Sequence, residues 1–446
     1  MKRLAAFLML VTTFVAVGFV DAQPLPVAKP EQVGLSSQRL ERVGQTVKVQ
    51  IANGRFPGAV VLIARKGKIV YFEAFGQRDP VANTPMSKDA IFRLYSMTTP
   101  FTSAAAMMLA EEGKLTLADP VSKYLPPLAN LQVAVAGKDA DGKTTYTLLK
   151  AEHPITIQDL LRHTSGFVYG PFTPNERVKA AYSALGVDWR DVTPAEQIER
   201  LAQAPLAHQP GTVWEYGLST DVLGRVVEKV SGMPLGAFLA ERIFAPLKIR
   251  DTAFIVPTEK VARLAQPFPA DKETGKPITL LDVTVPQKND AGGAGSAGTA
   301  ADYARFLQMM LNGGQLDGAR VLSRATVAYM TSDHLDTIKP AILLAPGYGF
   351  GLGFAVRKGN GVASVPGPVP RRRQWSRASS LLRLTSSGRQ LKASSRAPST
   401  RPCARYGRVR PMPTCTRPGG RKARFEGRSA TTMQETTGLR VDVKKA

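Results

Sequence analysis

Apolar residues recur at helical spacing at Leu40, Val43, Val47 and Ile51, and Gly54 closes the stretch, which predicts a helix ending just before it. The period then changes. Val60-Val61-Leu62-Ile63 and Ile69-Val70-Tyr71-Phe72 flank Arg65-Lys66-Gly67-Lys68, predicting a β-hairpin from Gly58 to Phe72. A segment opening at Ser96 runs through Ala104-Ala105-Ala106-Met107-Met108-Leu109 to Gly113 and is apolar on nearly every side, so it predicts a helix buried at the centre of the protein. Start signals place two more helices. Thr156-x-x-Asp159 precedes Leu160 and Leu161, and Thr193-Pro194-x-Glu196 combines an N-cap, a first-turn proline and an acidic third residue. Further helices are predicted from about Thr220 to Val230, ending near Gly232, and from Asp302 to Leu311, ahead of Asn312-Gly313-Gly314. Gly349 to Val356 reads as the last strand, and Gly295-Ser296-Ala297-Gly298 as a flexible glycine loop. A hairpin, a long helical middle and a late strand predict an α+β protein with a sheet and a helical region.

The two ends of the chain read differently from its body. Lys2 and Arg3 precede an apolar run from Leu4 to Val20, and Val20-Asp21-Ala22 ends in a small residue before Gln23. Residues 1–22 therefore read as a secretory signal, with an uncleaved anchor as the other reading; the run is short for a membrane span. A periplasmic or secreted protein is expected, with no membrane span beyond this segment. Residues 30–365 read as ordinary folded protein. From Arg371 to Ala446 only 9 of 76 residues are Leu, Ile, Val or Phe. Such a stretch buries too little apolar area to offset its ordering entropy, so residues 366–446 read as a disordered, low-complexity basic tail.

Charge follows the same division. Residues 371–446 hold 20 Lys+Arg and 3 Asp+Glu, whereas the preceding residues hold 39 and 32, so the formal net charge of +24 belongs mostly to the tail. The body is only mildly basic, and no nucleic acid partner is expected for it; a tail that binds nucleic acid or an anionic surface is a separate reading. The only cysteines, Cys403 and Cys415, lie in the tail, and His153, His163, His208 and His334 show no ligand spacing, so neither a metal centre nor another cofactor is expected.

Candidate chemistry begins at Ser96-Met97-Thr98-Thr99. An S-x-x-K motif sets a serine at the first turn of a helix and a lysine three residues on, on the same face, where its amine can activate the serine oxygen. Here Thr99 holds the lysine's place.

Around it, several blocks resemble the β-lactamase-related serine hydrolases, the group of class C β-lactamases, low-molecular-weight penicillin-binding proteins and related esterases. They are Phe92-Arg93-Leu94-Tyr95-Ser96-Met97-Thr98, Leu160-Leu161-Arg162-His163-Thr164-Ser165-Gly166-Phe167, Gln209-Pro210-Gly211-Thr212-Val213-Trp214-Glu215-Tyr216 with Asp221-Val222-Leu223-Gly224 behind it, and Ala301-Asp302-Tyr303-Ala304-Arg305-Phe306. They stand in the family's order over residues 30–365. The resemblance implies an antiparallel sheet flanked by helices beside an all-helical lobe, with the active site between them. It implies Ser96 as nucleophile and Tyr216, in Tyr216-Gly217-Leu218, as the tyrosine of the second motif. The third motif, K-T-G, H-x-G or W-x-G on a late strand, has no match in the chain. A shift of reading frame between about Gly361 and Arg371 accounts for its loss and for the change in composition.

The expected substrate is a small ester, β-lactam or peptide-like molecule, acylating Ser96. Thr99 is neither cationic nor basic near neutral pH, so impaired turnover is expected; general-base assistance is worth roughly 10²–10⁴ in rate. The alternative is a non-catalytic binding protein of the same fold. Each residue also has a structural reading: Ser96 as a helix cap, Tyr216 as a packing tyrosine, and His163 and Ser165 as turn residues held by hydrogen bonds. Gly295-Ser296-Ala297-Gly298 resembles part of a nucleophile elbow, but Ala294 occupies the first glycine's place in G-x-S-x-G.

Overall fold

Lys66 and Gly67, at φ +53° and +75°, make the two-residue left-handed turn that joins the predicted hairpin. In the computed structural model the described residues are 24–187, 192–340, 344 and 347–358. The signal-like residues 1–22, the frame-shift region and the basic tail 366–446 lie outside them. The chain divides into two units, and every described residue belongs to the first.

Helix α1 (Ser37–Ala52) is capped by Ser36, whose hydroxyl accepts the Arg39 N–H at 3.3 Å. Strands β1 (Gly58–Arg65) and β2 (Lys68–Asp79) pair antiparallel, with Arg65 opposite Lys68, Gly58 opposite Gly76 and a register shift at Ile63/Ala64. A short β3 (Thr84–Pro85) pairs with the other edge of β2. Side chains alternate across this sheet. Phe72 and Leu62 point into the main core, whereas Tyr71 and Phe75 lie against Gly44 of α1.

Strand β4 (Phe92–Arg93) leads through a 3₁₀ turn, Tyr95–Thr98, into α2 (Thr99–Glu111). The helix is buried from Thr99 to Leu109, as its all-round apolar sequence predicts. Phe101 is its anchor, with ring centroids 5.1 Å from Phe244, 5.2 Å from Tyr303 and 4.7 Å from Phe306. A second hairpin, β5 (Gln132–Lys138) and β6 (Thr144–Lys150), precedes the helical region.

That region holds α3 (Ile157–Leu161), α4 (Glu176–Leu185), α5 (Pro194–Gln203), a short strand β7 (Val213–Trp214), α6 (Ser219–Ser231) and α7 (Leu235–Leu239). Both expected capping boxes form, Thr156 with Asp159 and Thr193 with Glu196. Gly232, at φ +73°, ends α6. The chain returns through β8 (Ala297–Gly298), which pairs with β4, to α8 (Ala300–Leu311), which packs on β1. The pair β9 (Gln315–Leu316) and β10 (Ala319–Arg320), helix α9 (Arg324–Met330) and β11 (Lys339–Pro340), parallel to β7, follow. The α+β expectation, a sheet between helices with a helical region beside it, is met.

Two local expectations are corrected. Gly349–Val356 is not one strand but a hairpin, β12 (Tyr348–Phe350) and β13 (Ala355–Arg357), because Gly353 at φ +87° turns the chain and its N–H reaches the Leu161 carbonyl at 2.9 Å. Gly295–Gly298 is not a flexible loop. It is buried, its last two residues form β8, and the Ser296 hydroxyl lies 2.8 Å from Thr98 Oγ1.

Candidate active site

Ser96 sits at the junction of a strand and a helix, where local geometry is most constrained. Pairing of β4 with β8 continues through the Leu94 N–H to the Ser296 carbonyl at 2.8 Å. The chain then turns sharply at Tyr95, a non-glycine residue at φ +46°, a conformation that costs about 1–2 kcal/mol. The Tyr95 hydroxyl accepts the Leu281 N–H at 3.1 Å and so helps to hold that turn. Ser96 follows, half-buried, in a 3₁₀ turn closed by the Met97 N–H on the Leu94 carbonyl at 3.0 Å.

Tyr216 comes from the loop between β7 and α6. Glu215, directly before it, donates its N–H to the His163 carbonyl at 3.1 Å and places Oε2 2.6 Å from His208 Nε2. Gly217, directly after it, passes so close to Val168 that an added Cβ would lie 2.3 Å from the Val168 Cα. His163 holds the same loop. It stands at φ +58°, Nδ1 accepts the Gly217 N–H at 3.4 Å, Nε2 lies 3.3 Å from Thr220 Oγ1, and its ring lies 4.3 Å from that of Tyr216 at 30°. Burial pushes the His163 imidazole down to about 3, so it is neutral over ordinary pH. The hydrogen-bonding role expected for His163 is what the structure shows. Ser165 is likewise a turn residue, its hydroxyl 2.9 Å from that of Ser219.

The structure brings all three expected site residues together. The Tyr216 phenol interacts with the hydroxyls of Ser96 and Thr99, and Thr99 Oγ1 lies 3.5 Å from it. Burial raises the phenol's pKa above its ordinary range, the Ser96 and Thr99 hydrogen bonds pull the other way, and the nearby Asp221 charge raises it further. Thr99 itself is buried and its hydroxyl also donates to the Gly293 carbonyl at 3.4 Å. A set of three hydroxyls can bind and pass protons, but none of the three is a base near neutral pH.

Sequence reasoning gave no role to Asp221 or to Gly292 and Gly293. The segment 291–295 threads between α2 and α6. Thr102 donates to the Gly292 carbonyl at 2.8 Å from one side, and the Gly293 N–H donates to Asp221 Oδ1 at 3.0 Å on the other. Glycine is required there, since a Cβ on Gly292 would lie 2.7 Å from the Thr220 carbonyl oxygen and one on Gly293 2.7 Å from Asp221 Oδ2. Asp221 leads the apolar pair Val222-Leu223 in the first turn of α6, and a fully buried Asp is uncommon. Among the described residues no group of His, Cys, Asp and Glu is arranged to hold a metal ion.

The family model described as Beta-lactamase matches residues 43–395. The chain belongs to the beta-lactamase family. Esterase EstB of Burkholderia gladioli is 32% identical over 340 residues, covering 70% of this chain and 78% of that protein. Protein Rv1367c of Mycobacterium tuberculosis (strain ATCC 25618 / H37Rv) is 37% identical over 311 residues, covering 68% and 75%. Among solved structures, "EstCE1, a hydrolase with promiscuous acyltransferase activity" matches with a TM-score of 0.57 at 32% identity, covering 72% of this chain and 84% of that one. This family membership gives the chain the β-lactamase/transpeptidase-like fold and a serine hydrolase-type lineage.

Proposed function

We propose that this chain is built as a serine esterase of its family, acting on small esters through an acyl-enzyme on Ser96, and that its turnover is impaired at Thr99. In the first step Ser96 Oγ bonds to the ester carbonyl carbon, the ester C–O bond breaks, and the alcohol leaves with a proton. Water then breaks the acyl–Ser96 bond and returns the proton to the serine. Tyr216 is the proton partner. Its phenol can take the serine proton while giving its own to the leaving oxygen, but it starts neutral. The observation that carries this reading is the placement of the Tyr216 phenol on the hydroxyls of both Ser96 and Thr99. The names of EstB and EstCE1 favour an ester over a lactam or peptide. The signal-like residues 1–22 favour action in the periplasm or outside the cell.

A second reading has an observation of its own. The phenol is pushed away from ionisation, and the position that should supply a cation carries a hydroxyl. That suits a non-catalytic member that binds an acyl or peptide-like ligand without turnover. Short-chain p-nitrophenyl ester hydrolysis and fluorophosphonate labelling separate the two. Slow hydrolysis and labelling that both vanish in Ser96→Ala support the esterase. Ligand binding that survives Ser96→Ala, with no labelling of the parent, supports the binder and sinks the esterase.

A further inference from the structure

The Ser296 hydroxyl, which gives Gly295-Ser296-Ala297-Gly298 its likeness to a nucleophile elbow, is fully buried and turned onto Thr98. Three contacts run from Ser296 to the turn that carries Ser96. Its carbonyl accepts the Leu94 N–H at 2.8 Å. Its N–H donates to Thr98 Oγ1 at 3.1 Å, and its hydroxyl lies 2.8 Å from the same oxygen. Leu94 stands two residues before Ser96 and Thr98 two after it. Ser296 is itself firmly held. Ala297, next to it, exchanges both backbone hydrogen bonds with Ala253, at 2.8 and 3.0 Å. On its other side, a Cβ added to Gly295 would lie 2.8 Å from the Phe254 ring, so the segment is closely packed there.

We propose that Ser296 is a positioning residue for the nucleophile: by pinning Leu94 and Thr98 it fixes where Ser96 Oγ stands against the Tyr216 phenol. It touches no reacting atom and acts only through those two residues. Pairing of β4 with β8 needs no more than the backbone bond to Leu94. The double contact onto Thr98 lies beyond the nucleophile, inside the 3₁₀ turn Tyr95–Thr98. Both hydroxyls are fully buried, where an unmade hydrogen bond is costly, so each holds the other in place. Tyr95, at φ +46°, adds a reason for the brace. A sparsely populated backbone conformation persists only where its surroundings over-determine it, and anchoring Leu94 and Thr98 does that. The effect on reactivity rests on the esterase reading of Ser96; the bracing of the turn does not.

The test compares the full chain with Thr98→Val, Thr98→Ser and Ser296→Ala. One readout is the rate of fluorophosphonate labelling at Ser96. The other is the rate of iodoacetamide alkylation at position 96, located by peptide mass spectrometry, after Ser96→Cys is placed in each of the four chains. Melting temperatures check that each is folded at the assay temperature. Thr98→Val keeps the shape and removes the oxygen. It should slow labelling at least ~10-fold, since a misplacement of about 1 Å can cost roughly 10²-fold, and it should speed alkylation as the turn loosens. Thr98→Ser keeps the oxygen and should restore both rates to near those of the parent. Ser296→Ala leaves the N–H contact and should slow labelling less, by about 5-fold, the usual worth of one hydrogen bond. Should Thr98→Val fail to fold, Ser296→Ala decides. Parent rates in both Thr98→Val and Ser296→Ala overturn the proposal. So does a Thr98→Ser chain as impaired as Thr98→Val, which would trace the effect to packing of the methyl group. A parent that is never labelled, with alkylation raised by Thr98→Val and restored by Thr98→Ser, would sink the esterase reading and leave the brace standing. Normal labelling of the parent, with no variant changing either rate, would do the reverse.

Discussion

Thr99→Lys is the perturbation that bears most directly on this site. Thr99 Oγ1 is 3.5 Å from the Tyr216 phenol oxygen, and its other neighbour is the Gly293 carbonyl beside Asp221. A lysine amine placed about 4 Å from the phenol, at an effective dielectric of about 20, stabilises the tyrosinate by about 4 kcal/mol. At 1.36 kcal/mol per pKa unit that is roughly three units, enough to bring a phenol raised by burial back toward neutral pH. Overpacking a buried helix position works against this by about 1–3 kcal/mol of stability. The expected outcome is a gain of roughly 10²–10⁴ in kcat/KM for p-nitrophenyl butyrate, the usual worth of general-base assistance. The alkaline rise of the pH–rate profile should also move toward neutral pH. The gain must vanish in Ser96→Ala. A Thr99→Lys protein that melts cooperatively within a few degrees of the parent, yet shows no gain, refutes the electrostatic account of Thr99. A gain that survives Ser96→Ala refutes the assignment of the nucleophile.

Three other outcomes follow from the same contacts. Burial raises the Asp221 carboxyl from its ordinary 3.8 to about 6, so between those values the folded chain binds more protons than the unfolded one and stability falls as pH rises, by up to about 3 kcal/mol. Asp221→Asn should match the parent's melting temperature near pH 4 and exceed it above pH 6.5; equal curves at both pH values would contradict the assignment. Gly217→Ala forces a Cβ to 2.3 Å from backbone atoms of Val168, and should cost about 1–3 kcal/mol in urea unfolding and slow labelling at Ser96 by shifting Tyr216. Export of the chain should yield a mature protein whose first residue by mass spectrometry is Gln23; retention of residues 1–22 would favour the anchor reading instead.

What could be read in the sequence was what neighbouring residues decide among themselves. The Lys66-Gly67 turn, the Thr156 and Thr193 capping boxes and the all-apolar α2 depend on residues a few positions apart, and each forms as predicted. The β5–β6 hairpin is hidden in the sequence although Asp141-Gly142 marks its turn, because Thr144–Lys150 is polar enough to read as loop. The Gly349–Val356 run misled for the opposite reason. Its apolar residues are continuous, and the turn at Gly353 is imposed by contacts with Leu161 and Met330 from elsewhere in the chain. The surroundings of Ser96 lie at that non-local end. Segment 291–295 matters only because α2 and α6 grip it from two sides, which no local pattern records.

This division separates lineage from activity. The features that hold the fold are glycine contacts, helix starts and the packing of Phe101, and a threonine at position 99 disturbs none of them, because its hydroxyl finds the Gly293 carbonyl and stays buried. On the proposed reading, activity turns instead on one charge worth about 4 kcal/mol at the phenol, a quantity on which packing places no constraint. A chain can therefore keep the whole frame of a serine hydrolase while the position beside its phenol carries a hydroxyl rather than a cation. Supplying a cation at residue 99 measures how much rate that charge adds at Ser96.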